Sequence, residues 1–148
     1  MNTQLINRVL SSKAGLAALI LRVPVGLILA AHGSQKLFAW FGGYGLEGTG
    51  QWMASIGLEP GYLMALLAGS AEFFGGLALV LGFLTRPAAV VTAFTMLVAM
   101  FSVHISNGLF MANNGYEYAL TLAVVAAALA VQGAGSLSVD GVLAKRFR

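Results

Sequence analysis

One apolar stretch of bilayer length, with a single acid near its centre, limits what this chain can fold into more than any other feature. It runs from Leu63 to Phe83 and contains Glu72. A helix needs about 20 apolar residues to cross a bilayer, and an acid at its centre is costly unless it faces protein or a polar cavity. Small residues share a helical face with the acid: Ala65, Ala68, Gly69, Gly75 and Gly76. Because small residues let backbones approach closely, the sequence predicts a helix bundle arranged around Glu72.

The composition is typical of a membrane protein. Hydrophobic residues make up 59% and charged residues 9% of the 148 positions, whereas globular domains carry about 25% charged residues. The net charge is +3, but the basic residues form no patch with interleaved aromatic residues, which argues against nucleic acid as a partner. The absence of cysteine excludes a disulfide framework and thiolate metal ligands.

Three further apolar segments predict an all-α membrane protein with four transmembrane helices in one bundle. The expected spans are residues 15–38, 62–84, 87–106 and 116–132, within a membrane domain of residues 15–135. Residues 1–14 are expected to form a leader, and residues 136–148 a basic amphipathic tail. After the glycine-rich loop FGGYGLEGTG, the segment QWMASIG predicts a short interfacial helix with Thr49 as its N-cap.

The distribution of charge predicts the orientation of the bundle. With four spans, both termini share one side with the turn between the second and third spans. That side holds Arg8, Lys13, Arg86, Lys145, Arg146 and Arg148. The opposite side holds Glu47 and Glu59. The positive-inside rule therefore predicts that both termini lie in the cytoplasm and that the first loop lies on the opposite side of the membrane.

Polar residues on the four predicted helices lie at depths that let them meet in one cavity. Glu72 lies near the midplane, while His32 and His104 lie on the outward side. We consider these three residues candidates for proton exchange, because acids and histidines in a membrane cavity can deliver protons. Four residues are candidates for substrate binding: Arg22, Lys36, Trp52 and Glu117.

Structural roles for the same residues stay open. Glu72 can pair with Arg22, or remain neutral through desolvation, and thereby hold the bundle together. Each histidine can bond a neighbouring helix or a lipid headgroup, and Lys36 can extend its ammonium to the membrane interface. The acids and histidines come from four helices without local ligand spacing, so the sequence predicts no metal site.

Several of these residues lie in motifs that resemble the DoxX family. The first-helix motif is Arg22-x-x-x-Gly26 followed by His32-Gly33-x-x-Lys36-Leu37. The second-helix motif is Glu72-Phe73-x-Gly75-Gly76-x-x-Leu79-x-x-Gly82, followed by Thr85-Arg86. His104, Asn107-Gly108, Gly115-Tyr116-Glu117 and the ending Gly133-x-Gly135-x-Leu137-Ser138-x-Asp140 extend the resemblance over nearly the whole chain beyond the leader. The resemblance implies a four-helix bacterial inner-membrane protein, linked to thiosulfate:quinone oxidoreductase and to membrane oxidoreductase assemblies.

Three kinds of function follow from these observations. The first is an accessory or quinone-interacting subunit of a membrane redox system, with no intrinsic cofactor and with quinone or a soluble redox protein as partner. The second is a small-solute transporter or channel, for which four spans favour a homo-oligomer over a monomer. The third is a scaffold in the lipid bilayer that recruits a partner without catalysis.

Overall fold

The computed structural model describes residues 3–146, and helices provide all the regular secondary structure in that range. Its α-helices are α1 (Thr3–Leu10), α2 (Gly15–Phe38), α3 (Gly45–Ser55), α4 (Gly61–Leu81), α5 (Thr85–Ala99), α6 (Glu117–Gln132) and α7 (Val139–Arg146). Beyond Ala99 the helical path of α5 continues through a π-helical turn, Met100–His104, and a 3-10 turn, Ile105–Asn107. The predicted all-α fold is confirmed.

Three helical segments of the described chain are long and apolar enough to cross a membrane: α2, α4 and the extended α5 path, Thr85–Asn107. The shorter apolar helix α6, of 16 residues, completes the membrane bundle. The helix expected after the glycine-rich loop is α3. It begins inside that loop, at Gly45, and contains Thr49 in its interior. The predicted N-cap at Thr49 is therefore wrong, because the helix starts within the glycine-rich segment.

Glycines bring α2 and α4 into backbone contact, and this pair forms the largest helix–helix contact of the bundle. A Cβ at Gly33 would overlap the backbone of Phe73, and one at Gly76 would overlap the backbone of Ala30. Only hydrogen fits at these points, so the two helices approach as closely as small residues allow. The small-residue face predicted around Glu72 is thus a packing face.

Large apolar side chains cover the outside of the bundle. Leu29, Leu79 and Leu129 are fully buried in its core, whereas Phe74 and Phe94 are 60% and 66% exposed. In water such a surface would favour aggregation, but in a bilayer it contacts lipid chains of the same polarity. The pattern agrees with a membrane-embedded bundle.

Two buried ionic residues connect the elements at the end of the bundle that contains α1 and α7, which we call the termini end. Arg22 donates hydrogen bonds to the carbonyls of Leu79 at 3.1 Å, near the end of α4, and of Ala134 at 3.0 Å, beyond α6. The Asp140 carboxylate accepts from the backbone N–H groups of Leu84 at 2.7 Å and Thr85 at 2.9 Å. Arg22 and Asp140 are both fully buried. The tail that contains Asp140 is therefore part of the fold.

Candidate functional site

The opposite end, which we call the loop end, contains an ion pair between α2 and α4. Lys36 Nζ lies 2.6 Å from Glu72 Oε2, with the lysine side chain 22% exposed and the glutamate 5% exposed. It is the one salt bridge among residues 3–146. Gly69 makes room for it, because a Cβ there would lie 3.1 Å from Lys36 Cβ. The close approach of the two helices thus positions the pair.

The cation beside Glu72 is Lys36 and not Arg22. Lys36, expected as a substrate-binding residue or a snorkelling side chain, is the partner. Arg22 instead donates to main-chain carbonyls at the termini end. The pair between Arg22 and Glu72 that the sequence left open is not formed in the described structure.

A cavity of about 510 Å³, which we call the inner cavity, lies against the ion pair. Its walls come from α2, α3, α4, the α5 path and α6. The structure brings five of the sequence-predicted site residues to it: His32, Lys36, Trp52, Glu72 and His104. The rest of the lining is mostly apolar, with Leu29, Met53, Met96, Met111 and Leu122 among its residues. An apolar cavity with a few convergent polar groups is the usual form of a small-molecule site.

The π-helical turn brings His104 to the inner cavity. Such turns insert an extra residue into a helix and occur frequently at functional sites. His104 Nδ1 lies 2.9 Å from the carbonyl oxygen of Asn114. Because a carbonyl can only accept a hydrogen bond, Nδ1 carries the proton, and Nε2 is the basic nitrogen of the neutral ring. Sequence periodicity did not reveal this turn, since its composition is that of an ordinary apolar helix.

Tyr118 is a lining residue that sequence reasoning missed. Its ring lies 6.2 Å from the ring of His32, centroid to centroid, across the inner cavity wall formed by α2 and α6. The available signal was helical phase, because Tyr118 precedes the buried Leu122 by one turn. A phenol hydroxyl can donate or accept a hydrogen bond, so Tyr118 adds a polar group to the lining.

Glu117, in contrast, does not line the inner cavity. Its Oε1 accepts a hydrogen bond from the backbone N–H of Met111 at 2.6 Å. The carboxylate thereby orders the loop that precedes α6. Arg22 also lies outside the lining, so these two predicted substrate-binding residues are not brought to the cavity.

A second cavity, the vestibule, adjoins the first on the loop side. It has a volume of about 680 Å³ and shares His32, Lys36, Trp52 and Asn114 with the inner cavity. Its other walls include Gln35, Gly43, Tyr44 and Thr49. Lys36 and Trp52 therefore stand between the vestibule, which is the more polar of the two cavities, and a mostly apolar chamber. Toward the termini end, the fully buried Leu29 closes the chamber.

The described residues contain no group of three or more histidine, cysteine, aspartate or glutamate side chains that could hold a metal ion. Glu72 is paired with Lys36, and His104 bonds a carbonyl. The described lining residues offer the cavity hydrogen-bond donors, a carboxylate and two imidazoles.

Comparison with known proteins agrees with the motifs on these helices. The DoxX family model matches residues 17–105, more than half of the chain. The chain belongs to the DoxX family. Both residues of the ion pair, with His32 and His104, lie within the matched segment of this DoxX protein.

Relatives of similar length support the assignment. A Bacillus subtilis (strain 168) protein named "Putative oxidoreductase CatD" is 34% identical over 84% of this chain and 85% of its own. Escherichia coli (strain K12) has "Inner membrane protein YqjF", 33% identical over 87% and 93% of the two chains. Its "Inner membrane protein YphA" is 33% identical over 82% and 86%. No solved structure gives a significant match. The DoxX protein is thus a membrane protein with inner-membrane relatives.

Proposed function

We propose that this DoxX protein is a quinone-interacting subunit of a membrane redox system in the bacterial inner membrane. The observation that carries the proposal is the Lys36–Glu72 ion pair at the wall of a mostly apolar chamber. A quinone head group combines an apolar ring with two carbonyl acceptors. The chamber offers the matching combination of apolar walls and a small number of donors.

The lining residues fit such a head group. Lys36 directs one N–H at Glu72, and its other close acceptor, the His32 carbonyl, lies 3.5 Å away. An ammonium has three N–H donors, so Lys36 can also donate to a carbonyl oxygen in the chamber. The volume of about 510 Å³ lies within the range of ligand pockets, which is about 300–1,000 Å³.

Protons and electrons would come from different sources. A bound quinone takes up two electrons and two protons on reduction to the quinol. Glu72 and the Nε2 atom of His104 can hold protons near the chamber, while Lys36 favours negative charge on a bound oxygen. The electrons would come from a redox protein partner. The name of the CatD relative agrees with a role in oxidation and reduction.

The charge distribution supports cytoplasmic termini for this protein. Arg8, Lys13 and Arg86 lie at the termini end, with Lys145 and Arg146 in α7. Glu47 and Glu59 belong to the loop end. The positive-inside rule then turns the vestibule toward the periplasm. A periplasmic redox protein, rather than a cytoplasmic one, is the partner that could reach it.

A transport role is less well supported by the geometry of one chain. The vestibule and inner cavity form a route from the loop end, but Leu29 and Leu122 line the chamber and are buried. Beyond them, Arg22 is fully buried among main-chain carbonyls at the termini end. A blind chamber suits a ligand that enters and leaves on one side.

Tryptophan fluorescence provides a direct test, because quinones quench it at short range. The chain has two tryptophans, and Trp52 lines both cavities whereas Trp40 lines neither. In a Trp40→Phe variant in mild detergent, a short-chain ubiquinone analogue should quench Trp52 fluorescence with saturation. The matched dimethoxybenzene without quinone carbonyls should not. Linear quenching without saturation, equal in this variant and in a Trp52→Phe variant that keeps Trp40, would refute the proposal.

The ion pair supplies the second arm of this test. In the Trp40→Phe background, Glu72→Gln should raise the quinone dissociation constant by about tenfold, the effect of losing one charge-assisted interaction. Glu47→Gln, at an exposed position of α3, should leave the constant unchanged. If Glu72 controls solute flux into vesicles while quinone fails to bind, a transport function replaces the redox one.

A further inference from the structure

A third pocket, at the termini end, has a different chemistry. It measures about 590 Å³ and is lined by Ser11, Ser12, Lys13, Ala14, Arg86 and Gln132. We call it the terminal pocket. It lies where the α1–α2 linker meets the start of α5 and the end of α6. It shares no residue with the inner cavity or the vestibule.

Arg86 enters this pocket without a carboxylate partner among the described residues. Its Nη1 atom donates to the main-chain carbonyls of Ala130, at 2.9 Å, and of Val131. Its Nη2 atom donates to the main-chain carbonyl of Ser11 at 3.2 Å. These acceptors are neutral, so they orient the guanidinium without cancelling its charge. Its Nε atom is buried and has no hydrogen-bond partner in the described structure.

Gln132 adds a second unsatisfied donor. Its main-chain carbonyl accepts from Ser12 Oγ at 2.6 Å, but its side-chain Nε2 is buried without a partner. Leaving a buried donor unsatisfied costs about 1–3 kcal/mol, so native structures rarely contain two around one pocket. Arg86 Nε and Gln132 Nε2 therefore both lack a hydrogen-bond acceptor.

The charged side chains around the terminal pocket are positive, which favours the binding of an anionic acceptor. Lys13 lines the pocket and is exposed, and Arg8 lies on the same end of the bundle. Asp140 is the one acid at this end in residues 3–146, and its carboxylate is engaged by the N–H groups at the start of α5. Carboxylates of residues 3–146 therefore do not supply the missing acceptor.

Gly133 places no side chain against the Nε–Nη2 edge of the Arg86 guanidinium. A Cβ at this position would lie 3.3 Å from both Nε and Nη2 of Arg86, and 3.0 Å from Ser12 Cβ. The φ angle of 81° also favours glycine at this residue. Any other residue at this position would press a side chain against the guanidinium edge and Ser12.

We propose that the terminal pocket binds a phosphate group, with Arg86, Gln132 and Lys13 as its ligands. A phosphate offers several acceptor oxygens and a negative charge, and a guanidinium edge matches its geometry. Basic pockets between helices at the cytoplasmic face are typical sites for anionic lipid headgroups. The phosphate can belong to an anionic phospholipid or be free in solution, and the two sources are separable by experiment.

Native mass spectrometry of the delipidated full chain in mild detergent tests the lipid source. Phosphatidylglycerol should bind with defined stoichiometry. Gln132→Leu and Lys13→Gln should each weaken that binding by at least about fivefold, as expected for one lost bond to a charged group. Arg8→Gln removes the same charge as Lys13→Gln from an exposed site outside the pocket, and should change binding less than about twofold, since solvent screens exposed charges.

Thermal unfolding of the same preparations tests the free anion. If the pocket binds free phosphate, sodium phosphate should raise the melting temperature of the wild type relative to sodium chloride at equal ionic strength. If the pocket requires the lipid, only phosphatidylglycerol should raise that melting temperature. Each result supports a phosphate site, provided that Gln132→Leu reduces the shift. Equal losses in Lys13→Gln and Arg8→Gln, with none in Gln132→Leu, would show diffuse charge attraction and overturn the proposal. So would absence of binding in both arms. Neither result bears on the quinone proposal, which concerns the other end of the bundle.

Discussion

Arg22 and Asp140 hold the α4–α5 turn from its two sides. Arg22 Nη1 donates to the carbonyl of Leu79 at 3.1 Å, whereas Asp140 accepts from the N–H groups of Leu84 and Thr85. The last carbonyls of a helix and the first N–H groups of the next lack intrahelical partners. One cation and one anion, both from distant parts of the chain, therefore contribute hydrogen bonds to groups at both helix ends.

Asp140→Ala is expected to lower the free energy of unfolding by about 1.5–3 kcal/mol per lost bond to a charged group. The substitution leaves two backbone N–H groups unsatisfied at the start of α5 and removes the negative charge near Arg22. Thermal unfolding in detergent measures the effect. Asp140→Asn retains one acceptor and should lose less. A melting temperature of Asp140→Ala equal to that of the wild type would mean that the tail does not fasten the bundle.

The sequence was sufficient for the helices but not for the pairing of their polar residues. Bilayer-length apolar segments define each helix locally, which is why the all-α bundle was predictable. The partner of Glu72 depends on how α2 and α4 cross. The periodicity of one helix shows which residues share a face, but not which level of the neighbouring helix they meet. Lys36 and Arg22 lie on the same face of α2, and the close contacts between α2 and α4 at Gly33 and Gly69 bring Lys36 to Glu72.

The candidate site was predictable to a similar degree. Depth and helical face were enough to place His32, Glu72 and His104 around one cavity. They were not enough to separate Glu117, which orders a loop, from Tyr118, which lines the chamber. Adjacent residues differ by about 100° around a helix, so that choice requires the rotation of α6, which tertiary packing sets.

Gly33→Ala should destabilise the bundle and disturb the ion pair. The added methyl would overlap the backbone of Phe73, and backbone cannot move aside as a flexible side chain can. Overpacking of this kind costs about 1–3 kcal/mol. Thermal unfolding measures the loss. Gly141→Ala is the control, because its Cβ would meet a side-chain atom, the Ser138 hydroxyl at 3.1 Å, and not the backbone of another helix. Similar melting temperatures for the two variants would contradict the close contact of α2 and α4.

A double-mutant cycle tests the coupling of Lys36 and Glu72. Lys36→Met leaves a carboxylate that is 5% exposed without its cation, whereas Glu72→Gln leaves an ammonium on a side chain that is 22% exposed. Lys36→Met should therefore destabilise more, because its orphaned charge is less accessible to water. The double variant should recover part of the loss, with a coupling energy of about 0.5–3 kcal/mol from unfolding measurements. Additive effects would mean that the two residues do not interact.

The orientation of the bundle can be measured by labelling, because the native sequence has no cysteine. Tyr44→Cys places a thiol at a position 82% exposed in the loop between α2 and α3, and Lys145→Cys places one on the exposed face of α7. With the basic residues concentrated at the termini end, the positive-inside rule predicts that Tyr44 lies in the periplasm and Lys145 in the cytoplasm. A membrane-impermeant maleimide should thus label Tyr44→Cys in spheroplasts and label Lys145→Cys only after permeabilisation. The reverse pattern would invert the bundle and turn the vestibule toward the cytoplasm, where a cytoplasmic redox protein would become the expected partner.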